Sequence, residues 1–193
     1  VGKRRELGDG VQDDRGGDGG DIYGFDLSTA TEFPICTRTG RQLDPTISGN
    51  CVVWLDESLG SFYVYDVETK QETRLFSISM PTGYVSDLTP DLAGTTLVYN
   101  DRGAITAYDL TLDMSYPVAT VDRATQAVTD GELICWQDAK GLEVYNVKTD
   151  SIMLMKGSSD ASGATSPPAT CAGTVVWANN GVHGATLTYP QWT

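Results

Sequence analysis

The sequence lacks any long apolar run, and no stretch approaches the roughly 20 residues that a membrane-spanning helix needs. Basic side chains occur in the first ten residues without an apolar segment after them, so no signal peptide is expected. Basic residues are scarce overall, because 13 Lys and Arg stand against 26 Asp and Glu for a formal net charge of −13. Such a surface repels phosphate backbones, so we expect no nucleic-acid partner and favour cations or basic proteins.

Cysteine is also rare, with 4 in 193 residues. The absence of a C-x-x-C pair argues against a zinc site, and the number is too small for a scaffold dominated by disulfides. Two states stay open, which are free thiols packed as small hydrophobes and a disulfide formed in an oxidising compartment. The residues concerned are Cys36, Cys51, Cys135 and Cys171.

The groups that most hydrolytic enzymes require are missing as well. His183 is the only histidine and lies in a glycine-flanked segment. Neither a G-x-S-x-G elbow nor a glycine-rich phosphate loop is present. Because nucleophilic hydrolysis needs a base beside its nucleophile, we expect a protein that is not an enzyme. A glycosidase is the leading enzymatic alternative, since it needs only two suitably separated carboxylates.

What the sequence has instead is a repeat of roughly 40 residues, defined by two markers. In the first marker an aromatic-containing segment ends in Asp or Asn: IYGFD at 22–26, FYVYD at 62–66, ITAYD at 105–109 and EVYN at 143–146. In the second, a glycine precedes an apolar run that ends in an aromatic: GNCVVW at 49–54, GTTLVY at 94–99, GELICW at 131–136 and GTVVW at 173–177. Two independent markers with one period indicate a repeat architecture.

The three central repeats each contain four short strand patterns, the first and last repeats contain three, and no segment shows helical periodicity. This predicts an all-β protein, namely a β-propeller of four-stranded antiparallel blades. The number of blades is about five, and the propeller is incomplete or part of a larger one. We expect a single domain over 1–193 with approximate repeats at 1–44, 45–86, 87–124, 125–165 and 166–193.

The segments DIYGFDLSTATEFPICT at 21–37 and PTISGNCVVW at 45–54 resemble the TolB-like β-propeller repeat, in the form found in prokaryotic cell-surface and surface-layer proteins. The likeness is closest in the first repeat and extends as a pattern over nearly the whole chain. The resemblance implies a propeller fold and an extracytoplasmic location, whether secreted, periplasmic or at the cell surface. It implies no particular chemistry, because propellers serve many functions.

An acidic residue recurs two positions after the second marker, where the second strand turns into the third. Asp13, Asp56, Asp101 and Asp138 occupy this position. They are candidates for an acidic ring that binds a cation or a basic partner, or they are turn residues, because Asp readily bonds nearby backbone. Longer loops are expected on the same face, and Tyr84 in one of them is a further binding candidate.

The loop at 13–21 carries further carboxylates among glycines. Asp14, Asp18 and Asp21 could contribute to a calcium site, since calcium takes six to eight oxygen ligands. Their spacing is not that of an EF-hand, so we expect no cofactor and keep calcium as an alternative.

These observations predict a non-catalytic, extracytoplasmic propeller that acts as a protein-interaction or structural module at the cell surface. The expected partner is a protein or a surface glycan. The alternative is a carbohydrate-binding or glycoside-cleaving propeller that uses loops on the acidic face.

Overall fold

A computed structural model describes residues 20–79, 88–121, 126–138, 140–155, 167–178 and 182–186. The described residues form strands and turns, and none of them forms a helix that could cross a membrane. Each described strand pairs antiparallel with its neighbour in the sequence, and the described strands form separate small sheets. The predicted all-β architecture of four-stranded antiparallel sheets is therefore confirmed.

The chain divides into two compact units, Val1–Val85 and Ser86–Thr193. This boundary lies beside the predicted junction between the second and third repeats. The single domain over 1–193 stays a prediction.

The first unit contains two sheets. The first pairs β1 (Ile22–Asp26) with β2 (Thr31–Cys36), and residues 1–19, which precede it in the first repeat, lie outside the described residues. The second sheet is complete and consists of β3 (Gln42–Ser48), β4 (Cys51–Asp56), β5 (Ser61–Asp66) and β6 (Gln71–Ser77). Ile22 and Cys36 from the first sheet pack with Val52, Trp54 and Tyr63 from the second.

The second unit contains three sheets. The first consists of β7 (Asp91–Ala93), β8 (Thr96–Asp101), β9 (Ala104–Asp109) and β10 (Met114–Thr120). The next consists of β11 (Val128–Thr129), β12 (Leu133–Asp138), β13 (Gly141–Asn146) and β14 (Ser151–Leu154). The last has three described strands, β15 (Ala169–Cys171), β16 (Thr174–Ala178) and β17 (Val182–Thr186), which matches the expected three strands of the last repeat.

Burial follows the strand order within each complete sheet. The second strand is almost entirely buried, because its apolar run is covered on both faces, as in β12. The outermost strand is the most exposed, as in β6. Neighbouring sheets of the second unit bury their faces against each other, and Trp136 packs in one cluster with Val98 and Ile105. This face-to-face stacking explains why the second marker ends in a large aromatic residue.

The backbone conformation explains why glycine stands at the start of the second marker. The marker glycine forms the turn between the innermost and second strands with a left-handed φ, which a residue with a Cβ adopts at a cost. The values are 56° at Gly49, 59° at Gly94, 95° at Gly131 and 76° at Gly173. The innermost strands that precede it are short in the second unit, since β11 has two residues and β7 has three.

Candidate binding surface

Three of the predicted acidic positions are equivalent in the structure. Asp56, Asp101 and Asp138 each end the second strand of a sheet, at the turn into the third strand. Asp21 is exposed and directly precedes β1. Asp13, Asp14, Asp18 and Tyr84 lie outside the described residues, so binding by the predicted residues, and calcium binding, stay predictions.

Asp56 is completely buried, and its carboxylate is held from two sides. Its Oδ1 accepts a hydrogen bond from the Leu59 backbone N–H at 3.0 Å, which closes the turn. Its Oδ2 lies 3.3 Å from Nε of Arg38, in the loop between β2 and β3. Arg38 also donates from Nη1 to Oε1 of Glu72 at 2.8 Å, and its guanidinium carbon lies 4.5 Å from the Tyr63 ring centroid. The negative charge of Asp56 is therefore compensated inside the protein.

The loop that carries Arg38 is bonded to the Asp56 turn. We call residues 38–41 and 56–60 the lead-in surface. The Arg41 N–H donates to Ser58 Oγ at 3.0 Å, and the Glu57 N–H donates to the Arg41 carbonyl at 2.9 Å. Arg41 Nη1 also lies 2.7 Å from Glu57 Oε2. Gly40 approaches Ser58 so closely that a side chain there would clash. Two segments that are distant in sequence thus form one continuous surface.

Beneath this surface lies a buried amide. Gln42 is 4% exposed and stands directly opposite Asp56 in the β3–β4 ladder. Neither its Nε2 nor its Oε1 has a hydrogen-bond partner among the described residues. A buried polar group without a partner costs about 1–3 kcal/mol. The first unit therefore carries an energetic penalty at the strand end where the lead-in surface lies.

The two equivalent carboxylates in the second unit have different environments. Asp138 is buried, and its Oδ1 accepts a hydrogen bond from the Lys140 backbone N–H at 2.8 Å. In the β8–β9 turn, Asn100 Oδ1 accepts the Gly103 N–H at 2.8 Å, so the preceding residue supplies the turn bond. Asp101 instead pairs at the surface with Arg102, with 2.8 Å between Oδ1 and Nε. Sequence reasoning overlooked both Arg38 and Asn100.

The turns between the third and outermost strands are uniform by comparison. Each begins with an Asp or Asn whose Oδ1 accepts a backbone N–H two residues on: Asp26, Asp66, Asp109 and Asn146. Asp66 accepts hydrogen bonds from the Thr69 and Glu68 N–H groups and from the Thr69 hydroxyl. These bonds outweigh partial desolvation and lower the pKa of Asp66. Their hydrogen bonds therefore give these four residues a structural role in the turns.

The described cysteines and metal-ligating side chains add no further candidate site. Cys36, Cys51, Cys135 and Cys171 are free thiols in the structure, and burial raises the pKa of Cys135 to about 12, far from the range of a reactive thiolate. Within the part of the chain that the structure describes, no three His, Cys, Asp or Glu side chains are grouped so that they could hold a metal ion. His183 lies in β17.

The fold resembles several solved structures. TolB from Acinetobacter baumannii matches 87% of this chain with 15% identity and a TM-score of 0.55, and BamB from Moraxella catarrhalis matches 86% with 17% identity and a TM-score of 0.56. Oligogalacturonate lyase from Vibrio parahaemolyticus matches 90% with 11% identity and a TM-score of 0.60. The matches cover 49%, 51% and 57% of those chains, so this chain spans about half of their length.

No protein-family model and no curated protein sequence matches the chain. At these identities the likeness is one of fold and not of chemistry. Together with the repeat and the antiparallel four-stranded sheets, it shows that the chain has a TolB-like β-propeller fold.

Proposed function

We propose that this chain is a non-catalytic, extracytoplasmic propeller module that binds another protein through the turns between its second and third strands. In the first unit the binding site is the lead-in surface. Asp13, Asp101 and Asp138, at the equivalent turns of other repeats, belong to the same proposal as binding residues. Tyr84, in a longer loop expected on the same face, belongs to it as well.

The observation that carries this proposal is the buried polar group under the lead-in surface. Protein interiors rarely retain a side-chain amide without a partner, and departures of this kind concentrate at functional sites. Here the penalty of Gln42 coincides with a turn that is fastened to a neighbouring loop, which gives a rigid and polar surface. Rigid surfaces lose less conformational entropy when they bind a partner.

The carboxylates of this surface support binding over catalysis. A general acid or base needs a carboxylate that is free to exchange a proton with a substrate. Asp56 is already engaged by Arg38 and the Leu59 N–H, and Asp138 by the Lys140 N–H. Their hydrogen bonds serve the turn, which leaves shape, exposed apolar atoms and surface charge as the means of recognition.

The location rests on the resemblance of the repeat to those of prokaryotic cell-surface proteins. The likeness to TolB and BamB supports the fold on which such a module is built. Oligogalacturonate lyase provides the second candidate, because it is a carbohydrate-active protein with a similar fold. A carbohydrate-binding or glycoside-cleaving propeller is therefore the alternative that the experiment must separate.

The test is photo-crosslinking from two exposed leucines of the first unit, in living cells of the source organism. Leu59 lies in the β4–β5 turn of the lead-in surface and is 53% exposed; Leu27 lies in the β1–β2 turn and is 68% exposed. With p-benzoylphenylalanine at each position in turn, we expect a discrete protein adduct from Leu59 and none from Leu27. An equal yield from both positions, or no adduct, would count against the proposal.

A second variant links the adduct to the buried amide. Gln42→Leu keeps the volume and removes the unpartnered group, so we expect the free energy of unfolding to rise by about 1 kcal/mol. The adduct from Leu59 should weaken at the same time, since the unpartnered amide is then no longer available to the bound protein. Cleavage of oligogalacturonate or aryl glycosides by the purified chain, or binding on a glycan array, would favour the carbohydrate alternative.

A further inference from the structure

The outermost strands of four sheets differ at two equivalent positions. Each of these strands follows a turn whose last residue has a positive φ, and counting from that residue aligns β2, β6, β10 and β14. The second position holds Glu32, Glu72, Ser115 and Ile152. The fourth position holds Pro34, Arg74, Pro117 and Leu154. All eight side chains are exposed, so β14 alone among these strands presents two large aliphatic residues there.

The hydrogen bonding of β14 shows which backbone groups face outward. The Met155 N–H donates to the Leu142 carbonyl at 2.9 Å, on the inner side of the strand. In an antiparallel ladder the inward-bonding residues alternate, so Ser151 and Met153 also direct their backbone groups towards β13. The N–H and C=O groups of Ile152 and Leu154 therefore point away from β13. β14 is the last strand of its sheet, and no other described strand pairs with this outer side.

The other outermost strands carry features that prevent a further strand from adding. Sheet edges are commonly protected by proline, by charged residues or by a bulge. β2 and β10 have a proline at the fourth position, and β6 has Glu72 and Arg74. All three pairings with the third strand also contain a register shift. The β13–β14 pairing has none, and β14 contains neither proline nor a charged residue.

We propose that β14 is a self-association strand, at which a second copy of this chain adds its own β14 in antiparallel orientation about a twofold axis that passes between the two copies of Met153. In this register Ile152 stands opposite Leu154 of the second copy, and Leu154 opposite Ile152. These are the residues whose backbone groups point outward in both copies, so each pair can exchange two hydrogen bonds. Ile152 and Leu154, both 48% exposed, would join their counterparts in one apolar patch.

The same features predict the strength of the dimer. A single strand pair buries less than the area of a stable protein interface, so the dimer is weak and forms at high protein concentration. Each copy carries a formal net charge of −13, so the copies repel each other at long range. Salt screens this repulsion, and the dimer should therefore tighten as the ionic strength rises. A dimer held by ion pairs would respond in the opposite direction.

The experiment is sedimentation velocity on the full 193-residue chain, over about 1–500 µM protein, at low and high salt. We expect a concentration-dependent dimer that is more abundant at high salt. Leu154→Pro removes an outward N–H without removing a bond to β13, and it reproduces what Pro34 and Pro117 do elsewhere. We expect it to weaken the dimer by at least about tenfold, because each copy loses a hydrogen bond and apolar contact.

Two further variants make the result specific. Leu154→Arg gives β14 the residue type that β6 has at Arg74, and should weaken the dimer to a similar extent. It provides the test if circular dichroism shows that the proline variant is unfolded. Leu112→Arg makes the same change at a leucine that is 66% exposed in the β9–β10 turn, and should leave the dimer unchanged. A chain that is monomeric at every concentration and salt, or a dimer that survives both changes at Leu154, overturns the proposal.

Discussion

The complete sheets β3–β6 and β11–β14 place the same tryptophan in the same ladder position but surround it differently. Trp54 stands opposite Tyr63 and stacks on it with 5.9 Å between centroids, and the guanidinium carbon of Arg38 lies 4.5 Å from the centroid of the tyrosine ring. Trp136 stands opposite Glu143 and donates its indole N–H to Oε2 at 3.0 Å. One sheet thus joins the tryptophan to a cation through an aromatic ring, whereas the other pairs it directly with a carboxylate.

The comparison separates what the repeat requires from what it leaves open. Both tryptophans are fully buried, because each lies on a second strand covered on both faces. The residue opposite, however, needs only to fill the space and accommodate the indole, and two different chemistries achieve this. Backbone geometry is therefore shared between the sheets, while polar partners are specific to each one. Mutations at equivalent positions should expose that difference, since their costs depend on the partners.

The largest difference is expected at the end of the second strand. Asp56→Ala removes both the acceptor of the Leu59 N–H and the counter-charge of Arg38, so we expect a loss of about 2–4 kcal/mol in the free energy of unfolding. Asp138→Ala removes the acceptor of the Lys140 N–H and should cost about 1 kcal/mol. Urea denaturation with unchanged m-values measures both. Equal losses would show that Arg38 contributes nothing to the environment of Asp56.

The tryptophans should give the next largest difference. Trp54→Phe and Trp136→Phe lose similar packing, but only the second leaves the buried carboxylate of Glu143 without the indole donor. We expect Trp136→Phe to cost about 1–2 kcal/mol more than Trp54→Phe. The Trp54 Nε1 has no hydrogen-bond partner among the described residues, so its loss carries no such penalty.

Repeating the measurement in a Glu143→Leu background tests the cause. The excess cost of Trp136→Phe should disappear there, because no carboxylate is left to lose its donor. If the excess persists, it comes from packing around Trp136 and not from the hydrogen bond.

The fold was predictable because its signals are periodic. The marker glycine and aromatic located the second strands, and the Asp or Asn located the turns that follow the third strands. The innermost strands were placed less well, since β11 has only two residues and no local pattern distinguishes them from a loop. A short innermost strand is held by neighbours in space, as when Asp91 Oδ2 accepts the Thr129 N–H from the next sheet at 2.8 Å.

The candidate surface was predictable only in part. The recurrence of Asp56, Asp101 and Asp138 follows from the repeat, but their partners do not. Arg38 is distant from Asp56 in sequence, and the two-residue β8–β9 turn transfers the turn bond from Asp101 to Asn100. The aliphatic residues of β14 were visible in the sequence once the four outermost strands are aligned on their turns. What that alignment needed was the turn geometry, which only the structure supplied.

The smallest effect is expected at the turn between the innermost and second strands. Asp130 accepts backbone N–H groups of Glu132 and Leu133 in its own sheet and of Gly173 in the next. Partial burial alone would raise the pKa of Asp130, but these bonds and the Thr170 hydroxyl outweigh it, and the pKa is lowered. In the β3–β6 sheet, Ser48 precedes the marker glycine at the equivalent position.

This difference should appear as a dependence on pH. Because the pKa of Asp130 is lower in the folded than in the unfolded chain, its contribution to stability is complete above the unfolded value of about 3.9. The contribution is lost as the pH falls through the folded pKa. Asp130→Asn should therefore destabilise the chain at pH 7 and flatten the decline in the free energy of unfolding below about pH 4, whereas Ser48→Asn should leave that decline unchanged. Urea titrations at a series of pH values measure the slopes, and parallel curves for the wild-type chain and Asp130→Asn would mean that the bonds from Gly173 and its neighbours do not favour the charged carboxylate.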